Sequence, residues 1–182
     1  MKKLAILSLI FLLAISADGF QAPSKGKAAS RKEMKAKKRE LRKLEAKTVN
    51  VISKNSFYAS FGNVPDVKWR SSPYFDEATF MKDGHEITAF FDFYGTLVGT
   101  TTLKTFADIP AKAQKEIQNK YKDYSIGPVI LFDDNEFNEM DMVLYNLEFL
   151  DEDNYFVEMT KGNAKLILRV DNIGGVHYFK QI

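Results

Sequence analysis

From about Val67 onward, hydrophobic and polar residues alternate in short runs separated by turn chemistry, the pattern of half-buried β-strands. After a first short run at Val67–Trp69, the runs lie at about Tyr74–Met81, His85–Phe93, Thr96–Lys104 and Ser125–Phe132. Further runs lie at Met142–Leu150, Tyr155–Thr160, Lys165–Val170 and Val176–Lys180. Asp83-Gly84, Tyr94-Gly95, Asp151-Glu152-Asp153-Asn154, Gly162-Asn163 and Gly174-Gly175 divide them, all residues that favour tight turns. Two stretches keep a helical rhythm instead. In about Val49–Phe61, Ile52, Phe57 and Phe61 share one side, and Gly62-Asn63 with Pro65 ends the helix. In the stretch after Thr105, Asp108 can cap a helix, Pro110 suits its first turn, and Ala113, Ile117 and Tyr121 share a face. The order helix, strands, helix, strands predicts an α+β fold. It reads as two tandem helix-plus-antiparallel-strands repeats, with halves about 48–105 and 106–182. A doubly wound fold needs helices between strands, and there is no room for them.

The N-terminus does not belong to this pattern. Lys2 and Lys3 precede an apolar run from Leu4 to Ile15, followed by the small residues Ser16 and Ala17. That is the layout of a secretory signal peptide, residues 1–17, and the run is short for a spanning helix. No cysteine follows it to carry a lipid, so the expected location is periplasmic or secreted. Residues 18–47 form a basic arm, disordered or a single helix. Lys25 to Lys47 holds eleven Lys/Arg against three Glu, whereas Thr48 to Ile182 holds thirteen against twenty Asp/Glu. The arm reads either as a patch for anionic surfaces or as a solvated tether. Export argues against nucleic acid as its partner.

Composition narrows the chemistry. The chain has 182 residues, 45% hydrophobic, with 15 Phe and 8 Tyr, enough for a full core weighted toward strands. Cys is absent, which removes thiol catalysis, disulfides and Cys-based zinc sites. Phe91-Asp92-Phe93-Tyr94-Gly95-Thr96-Leu97 lies one residue away from the D-x-D-G-T-L nucleophile loop of haloacid-dehalogenase phosphatases. That chemistry needs a second carboxylate where Tyr94 stands, and a phenol with a pKa of about 10 replaces it poorly. The loop also continues into a strand rather than a helix. His85 and His177 form no ligand pair, and there is no G-x-S-x-G elbow. The acidic run Asp133-Asp134-Asn135-Glu136 with Glu139 and Asp141 lacks the spacing of an EF-hand loop and reads as solvated loop. No enzyme, metal or cofactor is implied.

Ser56-Phe57-Tyr58-Ala59-Ser60-Phe61-Gly62-Asn63-Val64-Pro65-Asp66-Val67-Lys68-Trp69 resembles the opening of the PepSY-like, β-lactamase-inhibitor-like periplasmic proteins common in Bacteroidetes. Ala78-Thr79-Phe80 before a D-G hairpin, Phe91-Asp92-x-x-Gly95, Ile109-Pro110 opening a helix that ends in Lys120-Tyr121, and Gly175-Val176 continue the likeness across Thr48–Ile182. Gly62 stands where proline is usual, and Tyr94 where an acidic or polar residue is. The resemblance implies one curved antiparallel sheet with the helices on one face, and a non-catalytic protein. Some inhibitors of that shape grip an enzyme on the open concave face.

Alternation assigns Ala78, Phe80, Ile87, Ala89, Phe91 and Phe93 to the helix side. The other face then carries Phe75, Met81, Phe90, Tyr94 and Val98 among Glu77, Thr79, Glu86 and Asp92. Aromatic and Met residues interleaved with polar ones are what a protein-binding patch looks like. A loop or the arm covering them is the other reading. The sequence thus predicts a non-catalytic binding protein engaging a protein or peptide of the cell envelope through that open face. The alternative is a binder of a small or anionic polymeric envelope ligand.

Overall fold

Residues 48–182 are described by the structure, a computed structural model; the expected signal peptide and basic arm lie outside them. Within that span a helix α1 (Val51–Phe61) leads into strands β1 (Lys68–Ser71), β2 (Asp76–Lys82), β3 (His85–Phe91) and β4 (Leu97–Lys104). A 3-10 turn (Phe106–Asp108) and a second helix α2 (Ala111–Lys120) follow. The chain then forms β5 (Ser125–Asp134), β6 (Met142–Leu144), β7 (Leu147–Phe149), β8 (Asn154–Lys161), β9 (Ala164–Asp171) and β10 (Val176–Gln181). Eight strands make one antiparallel sheet in the order β1-β2-β3-β4-β5-β8-β9-β10, and β6 pairs only with β7.

Each helix starts for a local reason. Asn50 caps α1 by accepting from the Ile52 N–H at 2.9 Å. The buried carboxylate of Asp76 ties the same end to the sheet, accepting from Asn50 N–H and the Ser53 and Ser71 hydroxyls at 3.0, 2.7 and 2.6 Å. The Gly62 N–H closes the other end on the Tyr58 carbonyl. Asp108 does not cap α2, as its position suggests; it closes the preceding 3-10 turn with Thr105, and Pro110 is the N-cap of the helix. Proline there sacrifices no hydrogen bond, because a helix start has N–H groups to spare.

Both helices pack on the same sheet face. Phe57 of α1 meets Ala78, Phe80, Ala89 and Phe91, with Phe61, Trp69, Ile87 and Leu97 around them. Ala113 and Ile117 of α2 meet Val129, Val157, Met159, Leu168 and Val170. Phe57 is the pivot of the first cluster, with ring centroids 5.0 Å from Phe80 and 5.4 Å from Trp69, both edge-on. The alternation assigned to the helix side therefore holds for Ala78, Phe80, Ile87, Ala89 and Phe91.

The run Met142–Leu150 is not one strand. Tyr145 and Asn146 both take positive φ, 51° and 60°, and turn it into the tight hairpin β6–β7. That hairpin packs on the sheet face opposite the helices. Met142 and Phe149 join Phe75, Phe90, Val98, Phe132, Phe156 and Ile167 in a third buried cluster. Phe149 stands edge-on to Phe132 and Phe156 at 5.3 and 4.9 Å. The Lys180 ammonium donates to the Tyr145 carbonyl and pins the tip.

Candidate binding cleft

Five residues were expected on an open face, and the structure divides them. Val98 is fully buried and Phe75 and Phe90 nearly so, at 4% and 7% exposure. These three do lie on the face away from the helices, but that face is not open: β6–β7 and the loops flanking it cover it. Correcting the expectation, they are core residues of the third cluster. Met81 and Tyr94 are exposed, at 57% and 64%. They do not meet. Met81 sits near the β2–β3 turn, and Tyr94 lies in the loop after β3 at the other end of that strand.

Among the described residues, this face holds a cleft of about 620 Å³. Its floor is the inner face of the first strands, with Glu77, Thr88, Phe90 and Thr101. The β1–β2 loop, Ser72 to Phe75, forms one wall, and the hairpin from Val143 to Asn146 forms the other. Arg70 and Glu77 are direct cross-strand partners at its edge. The guanidinium donates to Glu77 Oε2 from Nε at 3.0 Å and from Nη2 at 2.5 Å. The Glu77 side chain is 10% exposed and that of Arg70 is 74% exposed, so an exposed cation covers a sunken anion. On the floor the Thr79 and Thr88 hydroxyls hydrogen-bond at 2.9 Å. Burial pushes the Tyr145 phenol above its usual range, with Glu158 adding to it.

The sequence-level candidates for catalysis have structural work. Asp92 is buried, and its Oδ1 accepts from the N–H of Tyr94 at 2.7 Å and of Thr96 at 2.9 Å, holding the β3–β4 loop. Asp171 does the same between β9 and β10, accepting from Ile173 and Gly175 at 3.1 and 2.6 Å. His177 lies 3.6 Å from Asp171 through Nε2, its side chain 54% exposed. Burial raises the Asp171 carboxyl, but the Gly175 and Ile173 N–H groups and His177 outweigh that and hold it below the usual carboxylate range. Asp133 and Asp134 shift the other way. Burial comes first for both; the carboxylates of Asp153 and Glu136 add to it for Asp133, and those of Asp151, Glu136 and Asp153 for Asp134. Among the described residues, no three carboxylate or histidine groups are gathered as a metal site.

No known family profile matches the chain, and no curated protein matches it significantly. Solved structures do match. A DUF2874 family protein from Bacteroides uniformis superposes with a TM-score of 0.60 at 13% identity, covering 74% of this chain and 90% of its own. A BLIP-like protein from Bacteroides fragilis gives 0.56 at 17% identity, covering 74% and 87%. A Bacteroides eggerthii protein, described as a candidate periplasmic protein, gives 0.58 at 13% identity, covering 74% and 88%. At these identities the likeness is one of fold, and it is the kind of protein that the sequence resembles.

Proposed function

We propose that this chain is a non-catalytic, extracytoplasmic binding protein whose recognition site is the cleft between the β1–β4 face and the β6–β7 tip. The observation that carries the reading is the cleft itself. Its volume of about 620 Å³ lies in the range of sites for small molecules or short chain segments. Its walls converge several side-chain polar groups on a partly aromatic surface. A broad, flat protein contact is less favoured, since the hairpin occupies much of that face. A protein or peptide partner would enter by a short segment. The fold likeness to a BLIP-like protein, and the commitment of Asp92 and Asp171 to their turns, support binding over catalysis. The apolar run of residues 4–15 supports export.

The body reads as two copies of one unit, the second carrying an insertion. Phe57 and Ile117 hold matching places in the two helices, and Phe61 and Tyr121 follow them one turn later. Trp69 pairs with Ala78 across β1–β2 as Val129 pairs with Val157 across β5–β8. Asp92 and Asp171 build the same loop, each closed by a glycine of positive φ, Gly95 and Gly174, set against the first turn of its helix. The extra length lies between β5 and β8, where residues 135–153 replace the short link 72–75. On this reading the covering hairpin is an insertion that turned an open face into a cleft.

A photoreactive side chain at Pro73, on the cleft rim, tests the site in cells that export the chain. Adducts from that position, and none from Lys115 on the outer side of α2, are expected. Equal labelling at both positions, or none at Pro73, would sink the assignment.

A further inference from the structure

We infer that the cleft takes a short extended segment of a protein partner, added as a third strand to the free edge of β6; the inference rests on the binding reading above and names the partner's chemistry. The cleft is lined by Val143 to Asn146 and by no residue of β7, so β6 is the strand beside it. Tyr145 and Asn146 are the two turn residues of the hairpin, which makes Leu144 and Leu147 its hydrogen-bonded closing pair. Bonded and unbonded pairs alternate along an antiparallel ladder, so Val143 and Glu148 face each other without such bonds. The N–H and C=O of Val143 therefore point away from β7, toward the cleft. Among the described residues, nothing donates to or accepts from them. Paired strands lie about 4.7–4.9 Å apart, so a strand bonded to Val143 would run along the cleft, above its floor.

Among the described residues, the other free strand edges are guarded and this one is not. An unpaired edge invites another strand, and proteins blunt it with charges or bulges. β1 carries Lys68 and Arg70. β10 is bulged between Tyr178 and Lys180. β7 has Glu148 at the position whose main chain points outward. The matching position of β6 is Val143, and Met142 and Leu144 beside it are uncharged too. A donor and an acceptor side by side on one residue are what another main chain matches, residue for residue.

The walls set the chemistry of the segment. Arg70 and Glu77 are the ionic side chains lining the cleft, and they pair with each other. A charged residue facing the floor would have to break that pair. The floor presents the Thr88 and Thr101 side chains, so the residues that face it are uncharged and alternate with solvent-facing ones. The chain's own N-terminal stretch does not fit this description. Lys25 to Lys47 holds eleven Lys/Arg, and Met34, Leu41 and Leu44 are its large apolar residues. A partner's segment, free of that charge, does fit.

The test pans a random decapeptide library, displayed on phage, on the exported chain and titrates the selected peptide by calorimetry. Binding with Kd near or below about 100 µM is expected. Methylating the peptide's backbone nitrogens one at a time should weaken binding about tenfold at alternate positions only, because a strand bonds its neighbour through every second residue. Bound peptide should slow hydrogen exchange at the Val143 amide more than at Glu148, which faces out from β7. Val143→Pro removes the outward N–H, leaves the β6–β7 ladder intact, and should weaken binding by about tenfold. Thr101→Arg fills the floor from another strand and should abolish binding whatever the proline does to the hairpin. No selected peptide, methylation losses without that alternation, or binding indifferent to both substitutions overturns the inference. So does a Pro73 adduct to residues 18–47 or to a second copy of the chain. A Pro73 adduct to a non-peptide molecule, with no peptide selected, removes the strand and leaves the cleft. Failure of both experiments removes the cleft as well.

Discussion

Three glycines with positive φ give a graded test of how the helices are seated. Gly162, Gly174 and Gly95 have φ of 57°, 82° and 76°, so alanine is strained at all three by its backbone alone. That shared term is about 1–2 kcal/mol per residue. They differ in what a Cβ would meet. At Gly162 nothing lies within 4 Å. At Gly174 the nearest atoms are side-chain carbons of Pro110 and Lys112 at 3.1 and 3.2 Å, with the Ala113 nitrogen at 3.4 Å. At Gly95 the Cβ would come within 2.7 Å of Ile52 Cγ2 and within 2.8 and 2.9 Å of the backbone of Ser53 and Ile52. A methyl can displace a flexible side chain, but not the first turn of a helix that Asp76 ties to the sheet. Overpacking of that kind adds about 1–3 kcal/mol. Gly162→Ala should therefore cost about 1–2 kcal/mol and Gly174→Ala slightly more, whereas Gly95→Ala should cost about 2–5 kcal/mol. Against a total of about 5–15 kcal/mol, the last is a large fraction. Urea unfolding followed by circular dichroism reads the series, provided the slope with denaturant is unchanged. Equal losses at the three sites, within about 0.5 kcal/mol, would refute the close approach of the β3–β4 loop to α1.

The buried side of the third cluster predicts that Phe90→Ser destabilises the whole body by about 3–5 kcal/mol, read by thermal melting; a fully stable variant would mean the residue is not core. Phe149→Ala should loosen the hairpin first, so limited proteolysis should cut within residues 135–153 while the eight-stranded sheet persists. Asp171 has a lowered folded pKa, so its stabilisation is present above the unfolded value of about 3.9 and is lost as pH falls through the folded one. Asp171→Asn should flatten acid destabilisation below about pH 4, checked by urea midpoints across that range. Asp134 carries the opposite sign. Its folded pKa is raised, so its contribution worsens as pH rises through that value, and Asp134→Asn should raise the urea midpoint at pH 7.

Local signals carried most of the fold. Asp83-Gly84 marks its hairpin because both residues sit at positive φ, a conformation these two residue types tolerate. Ala78, Phe80, Ala89 and Phe91 reveal their face because a pleat has a period of two. The fate of Met142–Leu150 was not legible in the same way. Its apolar content fits one strand as well as a hairpin, and the bend falls on a Tyr-Asn pair whose first member resists that conformation. What decides the matter is non-local: Met142 and Phe149 gain burial only against Phe132 and Phe156 on other strands. The error about Phe75, Phe90 and Val98 follows from it. Their face was read correctly, but their exposure depended on a distant segment. Arg70 and Glu77 were visible as charges and acquired meaning only as register partners across β1 and β2.

The position of the hairpin explains why recognition should concentrate at one end of the sheet. Over β5, β8 and β10 the aromatic contacts of Phe149 with Phe132, Phe156 and Phe179 anchor the hairpin. Toward β1 the hairpin ends at Tyr145–Asn146, and the floor beneath changes from Phe132 and Phe156 to Thr88, Thr101 and Glu77. Apolar burial anchors the covering element on one half, and its strained tip then faces hydroxyls and a paired carboxylate on the other. A covering hairpin that served stability alone would gain from extending its apolar contact across the whole face. Here the contact stops where the polar floor begins, which is the division of labour a binding cleft requires.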